Sequence, residues 1–454
     1  MFPGEFIKRL NGQEYIDSEG LTAALGQEGP VSVRINPYKW LQPVIRHERV
    51  SWEPDGYYLN ERPVFTADPL FHSGVYYPQE ASSMFAGEVF RQVASGLKDI
   101  RVLDLCGAPG GKSTHLSALI AGNGLLVANE VIRSRASVLA ENITKWGIGN
   151  TIVTQNDPSA FSALPGFFDI IVVDAPCSGE GMFRDPVAVK EWSVPNARLC
   201  SERQKRIVMD AWPALKPGGV MIYSTCTFNP AENEENISWF AAKAGAASVT
   251  IDLKGMEGMQ HVIYNDVEGY GFYPGRIRGD GFFIAALRKT SDTARPGQRI
   301  KPGILRQSRR GSDLAEPLIM ADPDRIVMSG DRVILLASDR DIISYIGERL
   351  AIIKYGTMIG EIRKESFVPA HDLAMSVSQR QGAWPVYDAS YEEAIIFLKL
   401  GQFRLSGVPE GRVMIHYRGV PLGFVNNLGH RFNNGYPQAW RIRMKKQEDF
   451  SEIL

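Results

Sequence analysis

Residues 101–114, RVLDLCGAPGGKST, are a short apolar run that leads into a glycine-rich turn. The apolar run predicts a buried β-strand, and the residues after the turn predict a helix. Farther along, to residue 290, short apolar runs such as DIIVVDA (169–175) and VMIYSTC (220–226) alternate with amphipathic stretches. This alternation predicts a parallel sheet covered by helices on both faces, which is a doubly wound, Rossmann-like α/β fold.

Two further elements are predicted where this region ends. A helix is predicted directly after the Cys226 turn. Its signals are Asn229 as N-cap, Pro230 at the first helical position and Glu232, whose side chain would bond back to the N-cap residue. The stretch GYGFYPGRIRGDGFFIAALRK (269–289) predicts a hairpin whose turn is RGDG. The hairpin would add an antiparallel edge to the parallel sheet.

The chain of 454 residues is too long for one hydrophobic core. TSDTARPGQRIKPG (290–303) is rich in Pro, Gly and small polar residues, so we place the main domain boundary there. The predicted pieces are an N-terminal extension, the α/β domain, a small α+β module and a second small C-terminal module, at 1–95, 96–290, 291–380 and 381–454.

Composition indicates an ordinary globular protein, with 22% charged residues and a net charge of −1. No apolar run of about 18 residues and no signal-peptide core are present, so we expect a cytoplasmic protein without a membrane segment. Four cysteines (Cys106, Cys177, Cys200 and Cys226) are too few for a disulfide scaffold. Because no pair has C-x-x-C spacing, we expect no zinc or other metal site.

The glycine-rich turn predicts a ligand site. Missing side chains at Gly107, Gly110 and Gly111 let a ligand approach the backbone, and the following helix offers unpaired N–H groups to an anion. Lys112 adds a positive charge. A phosphate-binding P-loop ending at this lysine requires glycine at position 106, which is Cys106, so an ATPase or GTPase is disfavoured.

Acidic residues after the next two strands favour a nucleoside ligand instead. Glu130 closes the second strand 19 residues after Gly111, where a carboxylate can hold both ribose hydroxyls. Asp157 follows the third strand, where an adenine edge would lie. Taken singly, either acid is better explained as a solvated residue at a strand end. Together they predict a dinucleotide-like or adenosyl-like pocket.

Two cysteines close neighbouring strands of the predicted sheet: Cys177 in DAPCSG and Cys226 in STCT. A buried cysteine usually acts as a small hydrophobe, which fits Cys200 and the side chain of Cys106. Turns rich in Pro, Ser and Gly make that interpretation poor for Cys177 and Cys226. Thiolate attack on carbon 6 of a pyrimidine would make carbon 5 nucleophilic, with a second group to remove the carbon-5 proton and Asp174 to support the developing charge. Spacing alone does not decide which thiol attacks.

These motifs, in this order, resemble those of the Sun-type family of RNA cytosine-5 methyltransferases. The matching motifs are YYPQEASS (76–83), DLCGAPGGKST (104–114), Asn129-Glu130 with Arg135, Asp157, DAPCSGEGMFR (174–184), Gln204, STCTFNPAENEEN (224–236) and GDGFFIA (279–285). SVRINPYK (32–39) and VSWEPDGYYL (50–59) resemble the N-terminal extension of that family. GRVMIHYRGVPLGF (411–424) resembles the PUA-like RNA-binding domain of its RsmF branch, which acts on 16S ribosomal RNA.

The resemblance implies roles for particular residues. It makes Cys226 the nucleophile and Cys177 the releasing group, whereas DNA cytosine-5 methyltransferases attack with the Pro-Cys cysteine. It implies S-adenosylmethionine as the cofactor, held by Cys106, Gly107, Ala108, Pro109, Gly110, Gly111, Lys112, Glu130, Arg135, Asp157 and Asp174. One departure is Pro274-Gly275, where the family often has Pro-His.

The implied partner is RNA, with small-subunit ribosomal RNA, free or within the subunit, as the expected substrate. Transfer RNA methylation and a non-catalytic RNA-binding protein remain alternatives. We expect a monomer, with no DNA or membrane partner. Residues after 290 carry a slight basic excess. Candidate phosphate contacts are Arg184, Arg306, Arg309, Arg310, Arg441, Arg443, Lys445 and Lys446, although a solvated surface explains each equally well.

Overall fold

The computed structural model describes residues 2–44, 46–253, 255–291, 307–364, 366–443 and 453–454. Arg306, Lys445 and Lys446 lie outside these ranges. The N-terminal part forms a sheet in the order β2-β1-β3 with antiparallel pairs. Its elements are α1 (Gly4–Leu10), α2 (Ser18–Leu25), β1 (Val31–Ile35), β2 (Gly56–Leu59), α3 (Pro69–His72), β3 (Tyr76–Pro78) and α4 (Ala81–Val93).

The central sheet has a parallel core, as predicted. Its strands are β4 (Ile100–Asp104), β5 (Gly124–Asn129), β6 (Thr151–Thr154), β7 (Phe168–Asp174) and β8 (Leu215–Thr225), and its helices are α5 (Gly111–Leu119), α6 (Arg133–Trp146), α7 (Pro186–Glu191), α8 (Val194–Ala211) and α9 (Glu234–Ala244). In space the parallel strands lie in the order β8-β7-β4-β5-β6. The strand order reverses beside β4, which is where doubly wound sheets bind ligands.

Both faces of this sheet are buried, which is why the centres of its strands are mostly apolar. One face packs against α4, α5 and α6 through residues such as Phe85, Leu116 and Ile143. The opposite face packs against α8 and α9 through residues such as Ile207 and Phe240. The doubly wound fold predicted from the alternating pattern is therefore confirmed.

Antiparallel strands close one edge of the sheet, as the hairpin prediction requires. These strands are β9 (Ala246–Ser248), β10 (Gln260–Tyr264), β11 (Val267–Phe272) and β12 (Phe282–Lys289), and the order β10-β11-β12 continues onto β8. The predicted start of the helix after Cys226 is wrong. Helix α9 begins at Glu234, and residues 230–233 form turns in which Glu232 accepts from the backbone N–H of Ser178 rather than from that of Asn229.

The segment after residue 306 begins with an α+β module that is joined to the central sheet. Its elements are α10 (Arg309–Ala315), β13 (Ile326–Ser329), β14 (Arg332–Leu336), α11 (Arg340–Gly347), β15 (Ile352–Lys354), β16 (Gly356–Arg363), β17 (Ser366–Pro369) and α12 (His371–Met375). Strand β15 pairs antiparallel with β6, and Leu336 and Ile346 share a core with Phe167. This module is an extension of the α/β core rather than a separate body.

The last part of the chain packs on the N-terminal sheet. Its elements are β18 (Val386–Asp388), α13 (Tyr391–Leu398), β19 (Gly411–Tyr417), β20 (Val420–Asn427) and β21 (Phe432–Asn434). Val33 and Tyr57 share a core with Phe397 and Val413. The two ends of the chain thus form one packed unit, and the predicted domain boundaries stay predictions. In the described ranges, no helix combines the length and apolarity needed to cross a bilayer.

Candidate active site

A cleft of about 690 Å³ opens at the carboxyl ends of the parallel strands. It brings together most of the residues that the sequence singled out, namely Cys106, Ala108, Lys112, Glu130, Arg135, Asp157, Asp174, Cys177 and Cys226. Gly107, Pro109 and Gly111 line a smaller adjoining pocket. Gly110 lies behind both, at the residue that precedes α5.

Steric contacts and hydrogen bonds restrict the conformation of the glycine-rich turn. Gly110 has a φ of +124°, a conformation that strongly favours glycine. A Cβ at Gly107 would lie 2.6 Å from the Ser113 hydroxyl oxygen. That hydroxyl donates to Asp104 at 2.6 Å, and burial raises the pKa of Asp104 to about 6. The turn is therefore fixed in shape before any ligand arrives.

Lys112 and Asp174 form an ion pair on the floor of the cleft. The Nζ of Lys112 lies 2.9 Å from Oδ2 of Asp174, and the Ser224 hydroxyl donates to Oδ1 at 2.9 Å. Burial alone would lower the pKa of Lys112, but the Asp174 carboxylate outweighs burial and raises it. The carboxylate is thus oriented from two sides while its side chain stays 39% exposed.

Glu130 and Arg135 form the wall beyond β5. Glu130 is buried and accepts from the backbone N–H of Ile132 at 2.9 Å. Arg135 lies 3.3 Å from the Glu130 carboxylate and donates to the Ala108 carbonyl at 2.9 Å. Arg135 therefore connects Glu130, at the end of β5, to the glycine-rich turn.

Asp157 is exposed at the far end of the cleft. Its carboxylate accepts from the backbone N–H and the hydroxyl of Ser159, at 3.1 and 2.7 Å, and these bonds lower its pKa. The preceding Asn156 bonds to both the N–H and the carbonyl of Ala351, just before β15. The C-terminal module thus supports the loop that presents Asp157.

The thiols of Cys177 and Cys226 are in contact. Their Sγ atoms lie 3.0 Å apart, and the backbone N–H of Cys226 points to Sγ of Cys177 at 3.3 Å. Contact with the Cys226 sulfur, followed by burial, raises the pKa of the Cys177 thiol well above its usual value. Cys200 is buried on α8, as predicted. Burial also raises the pKa of Cys106.

A buried network that the sequence did not predict holds the two cysteine loops together. Glu232 accepts from the backbone N–H of Ser178 at 2.9 Å and from Gln204 at 3.0 Å. The Ser178 hydroxyl also contacts that of Thr227 at 2.9 Å. Burial raises the pKa of Glu232 to about 7. All four residues lie in motifs that the sequence analysis quoted, but their contacts with one another were not predicted.

Arg34 is a second residue that the sequence did not single out, although it lies in SVRINPYK. It is 1% exposed, and its guanidinium reaches from the N-terminal sheet to the first turn of α5. It donates to the Thr114 hydroxyl at 2.6 Å and to the Gly111 carbonyl at 3.2 Å. Burial lowers its pKa to about 10, so it stays charged at neutral pH.

We predict that Arg34→Met weakens S-adenosylmethionine binding about tenfold, because removing a charged donor from buried acceptors costs about 1.5–3 kcal/mol and loosens the turn. Isothermal titration calorimetry measures the change. Arg49→Met is the matched control, since Arg49 lies in the same module and contacts Tyr57 instead. If Arg34→Met lowered the melting temperature and left the Kd unchanged, its contribution would be structural only.

Several candidate RNA contacts lie away from the cleft walls. Arg184 pairs with Asp280 and donates to the carbonyl of Gln27 at 3.2 Å, so the structure uses it to join segments of the protein. Arg309, Arg310, Arg441 and Arg443 are exposed on the C-terminal part. Pro274-Gly275 packs against the N-terminal helix α2, where the carbonyl oxygen of Gly20 lies 3.2 Å from a Cβ at Gly275.

Family comparisons cover the chain in three parts. The family model of the 16S rRNA methyltransferases RsmB/F matches residues 95–288. The model of the N-terminal domain of 16S rRNA methyltransferase RsmF matches residues 2–81, and that of the methyltransferase RsmF PUA domain matches residues 385–442. Together with the Rossmann-like sheet, these matches define an S-adenosylmethionine-dependent methyltransferase of the ribosomal RNA class.

Relatives that match most of the chain identify the family within this class. Ribosomal RNA small subunit methyltransferase F of Cronobacter sakazakii is 31% identical over 89% of this chain and 86% of its own length. The protein of the same name from Shewanella baltica is 31% identical over 86% of this chain and 84% of its own. This chain belongs to the ribosomal RNA small subunit methyltransferase F family.

Solved structures agree on the fold. A methyltransferase homologue from Pyrococcus horikoshii has a TM-score of 0.54 and 27% identity over 63% of this chain and 95% of that one. NSun6 from the same organism, solved with SFG, has a TM-score of 0.53 and 20% identity over 64% of this chain and 99% of that one. The second likeness shows the fold alone.

Proposed function

We propose that this protein methylates carbon 5 of a cytosine in 16S ribosomal RNA, with Cys226 as the nucleophile and Cys177 as the group that removes the carbon-5 proton. The 3.0 Å separation of the two sulfur atoms carries the two-thiol mechanism, and the resemblance of the STCT motif supports the attacking role of Cys226. Carbons 5 and 6 of a pyrimidine are bonded to each other. A thiol within van der Waals reach of the attacking sulfur is therefore close to the carbon-5 hydrogen once the adduct has formed.

The cleft suits an adenosyl cofactor. Buried Glu130 and exposed Asp157 offer carboxylates at successive strand ends, and these can accept hydrogen bonds from ribose hydroxyls and from the amino group of adenine. The glycine-rich turn leaves backbone groups accessible beside Lys112. S-adenosylmethionine, when bound here, supplies the methyl group. The residues that would hold it are Cys106–Lys112, Glu130, Arg135, Asp157 and Asp174.

The first step forms a bond from Sγ of Cys226 to carbon 6 of cytosine, which moves electron density to carbon 5. Asp174, held by Lys112 and Ser224, faces the cleft, where its carboxylate can accept from the cytosine amino group and orient the ring, while the Lys112 ammonium offsets the negative charge that develops on the ring. Methylation leaves carbon 5 carrying both a methyl group and a proton. Removal of that proton lets the Sγ–C6 bond break, which restores the ring and the Cys226 thiolate.

The two thiols can exchange roles because they share one environment. Before attack, the Cys226 sulfur raises the pKa of Cys177, so Cys177 holds its proton. Once Cys226 is bonded to carbon 6 it no longer carries negative charge, and the leading cause of that shift is gone. The backbone N–H of Cys226, directed at Sγ of Cys177, then favours release of the Cys177 proton to solvent in the cleft, which leaves a thiolate that can accept the carbon-5 proton. Cys177 thereby becomes a base only after the adduct has formed.

The test is methyl transfer by the purified protein. The substrates are 16S ribosomal RNA, 30S subunits and transfer RNA from a strain that lacks the gene, each incubated with tritiated S-adenosylmethionine and then mapped by bisulfite sequencing. We expect one or more 5-methylcytosines in the 16S sequence. If the label appeared only in transfer RNA, the assignment of 16S ribosomal RNA as the substrate would be wrong. RNA binding without any label would favour a non-catalytic RNA-binding protein.

A further inference from the structure

Met182 is an exposed apolar side chain at the catalytic end of the cleft. It is 52% exposed and lines the cleft together with Cys177 and Cys226. Two other strongly exposed apolar residues, Val131 and Ile132, line the same cleft, but they directly follow Glu130 at the end assigned to the cofactor. Met182 therefore lies at the end of the cleft that holds the two sulfur atoms.

In the turn that carries Met182, residues 180, 181 and 183 are buried, and Gly179 is partly buried. Glu180 is 0% exposed and Phe183 is 3% exposed, whereas Met182 projects from between them. Single exposed apolar side chains are common on protein surfaces. Met182 differs from most of them because it lies in the cleft beside both sulfur atoms, where a substrate can cover it.

Glu180 anchors this turn to three separate elements. It accepts from Arg9 of α1 at 2.7 Å, from the indole of Trp192 at 2.9 Å and from the backbone N–H of Phe228 at 3.2 Å. The position of Met182 is therefore set by the N-terminal helix, by the segment before α8 and by the loop after Cys226.

Gly181 ties the same turn to the catalytic cysteine. Its backbone N–H donates to the carbonyl of Cys226 at 2.9 Å. A Cβ at Gly181 would lie 2.4 Å from the carbonyl oxygen of Gly281, so the turn and the neighbouring loop approach as closely as glycine permits. Met182 is thus presented at a fixed position relative to Cys226.

We propose that Met182 is a wedge that enters the base stack of the RNA and occupies the space left by the cytosine when it turns into the cleft. A base inside a helix cannot reach Cys226 without leaving the stack, which costs a few kcal/mol. Apolar side chains, methionine among them, insert between bases and offset that cost. This inference rests on the proposed function, since it requires an RNA substrate.

The test compares two RNAs that carry the cytosine identified by bisulfite sequencing, one a hairpin in which it is paired and the other an unpaired strand of the same sequence. We expect Met182→Ala to lower kcat/KM about tenfold on the hairpin and less than twofold on the unpaired strand. Met182→Leu, which keeps the apolar bulk, should restore most of the hairpin activity. Leu199→Ala is the control, because Leu199 is 65% exposed on α8 and lies outside the cleft walls.

Fluorescence of 2-aminopurine placed next to the cytosine gives an independent measurement. With S-adenosylhomocysteine present, the wild-type protein should increase the fluorescence of the hairpin, and Met182→Ala should reduce that increase. The wedge proposal is wrong if Met182→Ala lowers kcat/KM equally on both RNAs or leaves kcat/KM on the hairpin unchanged. It is also wrong if the variant binds the cofactor more weakly than the wild-type protein does. If the wild-type protein labels no RNA, the proposed function itself fails, which is a separate result.

Discussion

Cys226→Ala is expected to abolish methyl transfer, with a loss on the order of 10⁴-fold or more, since removing a covalent nucleophile leaves only binding and orientation. Alanine at 226 removes the sulfur that lies 3.0 Å from Cys177 and leaves no atom to attack carbon 6. Incorporation of tritium from labelled S-adenosylmethionine into RNA measures the change.

Two further measurements make the loss at Cys226 interpretable. Cofactor and RNA affinity should stay within about twofold of wild type, because the thiol is not needed to hold either ligand. Cys200→Ala is the matched control, since Cys200 is a buried thiol on α8 outside the cleft walls and should leave the rate unchanged. Substantial methylation by Cys226→Ala would mean that covalent attack does not pass through this residue.

Cys177→Ala is expected to convert the enzyme into a trap for its RNA. Attack by Cys226 and methylation can proceed, but the carbon-5 proton then has no base within reach, so the Sγ–C6 bond cannot break. A band of protein linked to RNA that survives denaturing electrophoresis should accumulate, and turnover should fall to about one methyl group per protein. The adduct should require S-adenosylmethionine.

The double variant with alanine at both positions separates the two roles. It should form no adduct, because the trap formed by Cys177→Ala requires Cys226. If the adduct appears with Cys226→Ala and is absent with Cys177→Ala, the two roles are reversed. The geometry alone does not distinguish these outcomes, because each sulfur lies equally close to the other, so this experiment decides the assignment.

The predicted cofactor residues depended on local patterns, and local patterns were sufficient to bring them together. A strand that ends in a glycine-rich turn and continues into a helix places Gly107–Lys112 at one edge of the sheet, whatever the rest of the chain does. Glu130 and Asp157 follow the next strands and reach the same edge by the same rule. Parallel strands align their carboxyl ends, so chain order predicts proximity in space.

The residues that the sequence did not reveal have partners far along the chain. Glu232 was interpreted as part of a helix cap, yet its carboxylate is bonded to Ser178, 54 positions away. Arg34 bonds to Thr114, 80 positions away. Arg184, a candidate RNA contact, pairs with Asp280, 96 positions away. A charged or polar side chain bonds to the partner that the packing of the chain brings close to it. The periodicity of the sequence carries no information about which partner that is.

By itself, the sequence determined the doubly wound fold, the glycine-rich ligand turn and the presence of two cysteines at neighbouring strand ends, because hydrophobic periodicity and turn chemistry are local properties. Only the tertiary structure decided that the two sulfur atoms touch, that a buried carboxylate joins their loops and that Met182 projects alone from a buried turn. Those facts depend on how distant segments pack against one another, since burial and side-chain contacts exist only in the folded chain.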